Sequence, residues 1–167
     1  ALQSGRDILL KSERDTPLRA DRVAHEVVHF RLREAYGNRL PLWLEEGLAT
    51  RMGIGISRDY ANQRGIRLTG EMPAIPVSAL LAPSQLLDDA GYPESPASAQ
   101  AFARQAAELV GVLESRVGDS SWPDAIREIG AGGDWRKVLP WGYGVAMDDV
   151  QQLGAVAAQR AQQPWRF

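Results

Sequence analysis

The stretch Thr16-Pro17-Leu18-Arg19-Ala20-Asp21-Arg22-Val23-Ala24-His25-Glu26-Val27-Val28-His29-Phe30 reads as the opening of a long helix. Thr16 is a good N-cap residue, Pro17 suits the first helical position, and Gly37 stands where a helix commonly stops. A helix over residues 17–36 is therefore predicted. Val23, Val27 and Phe30 recur on it at helical spacing and are expected to face a core. His25 and His29 are four residues apart, so their side chains lie about 40° apart around the axis, one turn above the other. Glu26 is turned by about 100° from His25.

Two imidazoles stacked in this way can converge on one metal ion, with Glu26 held off the ion but close to water bound there. Zinc with three protein ligands keeps a position for water and lowers its pKa from about 15.7 towards 7. A neighbouring carboxylate then serves as general base, and the expected reaction is hydrolysis of a peptide bond with Glu26 in that role. His25 and His29 are the only histidines and cysteine is absent, so a third protein ligand has to be an oxygen donor. Glu34 lies at about 180° from His25 on the same helix and points away. Glu45 and Glu46, on the following segment, are both in reach.

That segment, Pro41-Leu42-Trp43-Leu44-Glu45-Glu46-Gly47-Leu48-Ala49-Thr50-Arg51-Met52, reads as a second helix joined to the first by the short link Gly37 to Leu40 and stopped by Gly53. Leu42, Trp43, Leu44, Leu48 and Met52 supply its apolar surface, and Trp43 is expected to anchor a core. Gly53 and Gly55 do not form a phosphate loop, since no strand precedes them and no Gly-Lys-Ser/Thr follows. Upstream, Arg6 to Glu13 suits a strand too short to make a sheet alone. Residues 57–95 are rich in Gly, Pro, Ser and Asp and read as irregular, with short helices near Tyr60 and over Leu80 to Asp89. Ser95-Pro96 repeats the cap-then-proline signal before a helix from Ala97 to Val117. Further helices are expected over Trp122 to Ile129, Asp134 to Leu139 and Met147 to Ala161.

His25 to His29 followed by Trp43, Leu44, Glu46, Gly47 and Ala49 resembles the peptidase MA-like group of gluzincin zinc metallopeptidases, whose pattern is HExxH and then a helix reading W-L-x-E-G-x-A. Sixteen residues separate His29 from Glu46, enough for a helix to end, turn and return. The resemblance implies that Glu46 is the third ligand of a single zinc ion, and that the fold is mainly α, a zincin-like helical core with at most a short N-terminal strand or hairpin. Ile75-Pro76, the Ala97 to Val117 helix, Gly133-Asp134 and Tyr143-Gly144 follow in the order the family shows. Two departures stand out. Phe102 occupies the place where family members tend to carry a tyrosine that steadies the transition state, which leaves Tyr36, Tyr60, Tyr92 and Tyr143 as alternatives. Thr50 stands where thermolysin-like enzymes place an aspartate that orients a histidine.

With 167 residues, 44% apolar and 24% charged, the chain suits one zincin-like domain over 1–167, with 1–54 as the metal-site half and 55–167 as the helical half. A net charge of −2 argues against a nucleic-acid binder, and the eight arginines between Arg6 and Arg51 are interleaved with acids. No apolar run reaches the roughly 20 residues needed to span a bilayer, so no membrane insertion is expected. The chain starts at Ala1 and not at methionine, which leaves room for an upstream export signal and an extracytoplasmic location. The expected partner is a peptide or protein substrate. Two other readings stay open: an inactive zinc-binding module of the same scaffold that binds a protein partner, and a metal-free helical interaction domain.

Overall fold

The computed structural model describes residues 2–4, 7–9, 20–65, 71–88 and 91–166. The Thr16-Pro17 cap falls outside them. The protein is mainly helical. Helix α1 spans Ala20–Tyr36 and α2 spans Leu42–Gln63; after a 3-10 turn at Val77–Ala79 come α3 (Pro83–Leu86), α4 (Pro96–Val117), α5 (Trp122–Gly130), α6 (Trp135–Tyr143) and α7 (Met147–Ala161). Strands β1 (Leu2–Ser4) and β2 (Asp7–Leu9) pair antiparallel as an N-terminal hairpin, and β3 (Glu71–Met72) pairs antiparallel with β4 (Trp165–Arg166). The second ribbon was not expected from the sequence: two residues on each side carry too little pattern to read.

Gly37 ends α1 with φ 62°, a conformation that costs glycine little, and its N–H donates to Arg33 O at 2.8 Å. The chain then enters α2 through Pro41, and α2 runs back along α1. Gly53 does not stop α2, which continues to Gln63 and reaches its positive-φ glycine at Gly65 (φ 64°). The residues near Tyr60 belong to this same helix, and the boundary drawn between 54 and 55 falls inside it. Gly53 has another duty: a Cβ there would lie 2.8 Å from the backbone N of His25. On the opposite side a Cβ at Gly47 would lie 2.6 Å from Ala106 O and 2.6 Å from Val110 Cγ2 of α4. The missing side chains let α2 run in close contact with both α1 and α4.

The core joins Trp43, Leu44 and Leu48 of α2 to Phe102, Leu109, Val110 and Leu113 of α4, Ile129 of α5, Trp135 and Leu139 of α6 and Val150 of α7. Trp43 is fully buried and meets Trp135 edge to face at 5.4 Å, as expected of an anchor, while Met52 is left exposed. On α1 the packed stripe is Ala24 and Val28, and Val27 is exposed. Val23 and Phe30 are only partly buried. The reason is geometric. His25 and His29 face α2, so the buried residues must flank them, and Val27, about 200° from each histidine, is carried to the outer side. Downstream, Ser95 caps α4 by accepting from Ser98 N at 3.0 Å, with Pro96 next in line, as the sequence indicates. Helix α6 runs to Tyr143, past the expected end at Leu139.

Candidate metal centre

Antiparallel pairing of α1 and α2 sets His25 and His29 against the first turns of α2. The two Nε2 atoms are 3.0 Å apart, His25 Nε2 is 3.4 Å from Glu46 Oε1, and His29 Nε2 is 3.3 Å from Glu46 Oε2. Each of the three residues offers a ligand atom within 4.8 Å of the others. Ligand atoms about 2.0–2.2 Å from a tetrahedral zinc ion sit roughly 3.3–3.6 Å from one another; the two imidazole–carboxylate distances match this, the Nε2 pair is closer, and the donors are of the types zinc accepts. Glu46 is 4% exposed, and so deep a carboxylate requires a cationic or hydrogen-bonded partner.

The outer ring nitrogens have partners of their own. His29 Nδ1 donates to Glu45 Oε1 at 2.8 Å, and the same oxygen accepts from Arg33 Nε at 3.0 Å. Thr50 Oγ1 lies 3.4 Å from His25 Nδ1. These contacts turn both Nε2 atoms toward Glu46. Burial opposes charge on His29, but hydrogen bonds and attraction from Glu45 and Glu46 outweigh it and raise its pKa to about 9. Burial lowers His25 against the pull of Glu46, with the charge of His29 adding to the fall. Glu45 is pushed up by burial, yet His29 and Arg33 bring it below its ordinary value, so it stays an acceptor.

Glu45 is itself buried, 6% exposed. Outer partners of this kind change metal affinity by about 10- to 100-fold. Glu45→Ala is accordingly expected to weaken zinc binding by about that factor in a chelator competition, while Glu34→Ala leaves it alone. Glu34 is exposed and paired with Arg31 at 2.7 Å, turned away from the centre as helix geometry requires.

Glu26 and Glu46 line a cleft of about 460 Å³ together with His25, Thr50 and Tyr92. Of the four tyrosines weighed from the sequence, Tyr92 alone lines it. Tyr36 packs against the core over Gly130, Tyr60 is exposed on α2, and Tyr143 also packs beside the core. Burial first, and then the neighbouring carboxylates of Glu46 and Glu26, push the Tyr92 phenol well above the ordinary range. It therefore stays protonated as a donor. Its ring leans edge-on against Phe102 at 5.6 Å. The phenol is supplied by the segment before α4, and Phe102 on α4 supports it.

No family model, curated protein or solved structure matches the chain. Among the described residues no helix is long and apolar enough to cross a membrane.

Proposed function

We propose that this chain is a metal-dependent hydrolase, on the observation that His25, His29 and Glu46 converge and that His25 and Glu46 share one cleft with Glu26 and the protonated phenol of Tyr92. More narrowly, it is a zinc peptidase of the gluzincin type with His25, His29 and Glu46 as ligands; the His-Glu-x-x-His spacing and the Glu46 segment support that class. Zinc, when bound, contributes Lewis acidity that polarises a carbonyl and makes water acidic near neutral pH.

The remaining work falls to the chain's own groups. Glu26 takes the proton of the attacking water and passes it to the leaving amine. Tyr92 donates its O–H to the carbonyl oxygen as negative charge develops there. Glu45 and Thr50 keep the imidazoles oriented. Tyr92 supports the catalytic reading over the inactive module, because it brings a phenol to the cleft although Phe102 lacks one.

Purified, metal-replete protein should hold about one equivalent of zinc, and His25→Ala, His29→Ala or Glu46→Ala should lose it. The wild type should cleave members of a broad peptide library. Less than about half an equivalent of zinc removes the metal reading. Full zinc without any cleavage leaves a binding module.

A further inference from the structure

We infer that Arg33 is a positioning residue of the candidate metal centre, acting through Glu45, which it helps to hold against the outer nitrogen of His29. This rests on the metal reading above. Glu45 Oε1 accepts from two side chains of α1, His29 Nδ1 at 2.8 Å and Arg33 Nε at 3.0 Å. The two donors are four residues apart, so they leave one face of α1 about 6 Å from each other along its axis and close on a single oxygen of α2. An oxygen met from two directions is fixed in place as it would not be by either donor alone.

This pair differs from an ordinary surface ion pair. Glu45 is buried, so its carboxylate depends on the donors that meet it. The Arg33 side chain stays 44% exposed, so it brings a charge to that carboxylate without the full cost of leaving water. The contact is made by Nε, the guanidinium nitrogen nearest the stem and the least free to swing. Next along α2, Glu46 faces both Nε2 atoms, at 3.4 Å from His25 and 3.3 Å from His29. Two adjacent glutamates thus take different duties, and Arg33 keeps Glu45 on the outer one. Swung off Nδ1, Glu45 would leave the His29 ring free to turn and carry its Nε2 away from Glu46.

The test is zinc affinity by chelator competition, on the wild type and its variants. Arg33→Met keeps the length of the stem and removes the donor and the charge. It should weaken zinc by about three- to tenfold, less than the loss of Glu45 itself, because the guanidinium is partly in water. Arg33→Lys restores a charged donor and should recover most of the affinity, which a packing role for the stem would not require. In a Glu45→Ala background Arg33→Met should change nothing further, since an effect carried by Glu45 vanishes with it; this cycle also separates the Glu45 coupling from the further interaction Arg33 makes. Arg31→Met, at an exposed arginine paired with Glu34 at 2.7 Å, should bind zinc as the wild type does. An Arg33→Met protein with wild-type affinity, or with the same loss whether Glu45 is present or not, overturns the assignment and leaves the metal reading standing. Should Glu45→Ala fail to fold, the lysine and methionine variants decide alone, and equal affinities for the two overturn it. A wild type that holds no zinc overturns both.

Discussion

Glu26→Gln is expected to keep its zinc and its melting temperature while kcat falls by about 10²–10⁴-fold, the usual range for removing a positioned acid-base group. The amide fills the same space and still accepts a hydrogen bond, but it cannot take a proton at neutral pH. Tyr92→Phe provides the complementary measurement. It keeps the ring that leans on Phe102 and deletes only the donor, so kcat should fall by about 10²–10³-fold with KM little changed. Zinc analysis beside steady-state kinetics separates these losses from metal loss. A Glu26→Gln protein that hydrolyses peptides at the wild-type rate would falsify the role given to Glu26.

Three glycine-to-alanine changes on α2 should diverge in sign. In a helix interior alanine is favoured over glycine by about 1 kcal/mol. At Gly55 a Cβ meets nothing within 4 Å, so Gly55→Ala should gain most of that and raise Tm by about 2–4 °C. At Gly47 the added carbon would sit 2.6 Å from Ala106 O, which is backbone and cannot rotate away. Overpacking costs about 1–3 kcal/mol, enough to outweigh the propensity gain, and Gly47→Ala should lower Tm by several degrees. Gly53→Ala meets the backbone of His25 at 2.8 Å, so it should lose zinc affinity along with stability. Equal melting temperatures for all three variants would show that α2 is not held close to its neighbours.

The helices were legible because their caps and stops are local. Ser95-Pro96 and Gly37 mark their ends through chemistry that acts over a few residues, and the structure brings together His25, His29 and Glu46. Where reading failed, a distant contact had decided the outcome. Gly53 looked like a stop because a glycine that lets two helices meet has the same sequence appearance as one that ends a helix. Glu45 reads from the sequence only as a second oxygen donor in reach of the histidines, yet His29 and Arg33 are one turn apart on α1 and one carboxylate on α2 meets both. That pairing needs the register of the hairpin, which no single segment carries. Tyr92 had no local signal at all; it reaches the centre because the chain returns through α4, with Tyr92 itself 29 residues beyond Gln63 at the end of the hairpin (92 − 63).

The close approach of α1 and α2 also bears on the order of assembly. Both histidines and Glu46 belong to one helical hairpin, so the candidate ligand group needs only a short loop to close, an event set by local contacts and small chain entropy. Tyr92, Ala99 and Ala103 reach the cleft only when α4 docks across α2. The molecule therefore divides inheritance between two pieces of chain. One carries His25, His29 and Glu46, while the other, on a separate helix, completes the wall of the cleft and can diverge without disturbing the first.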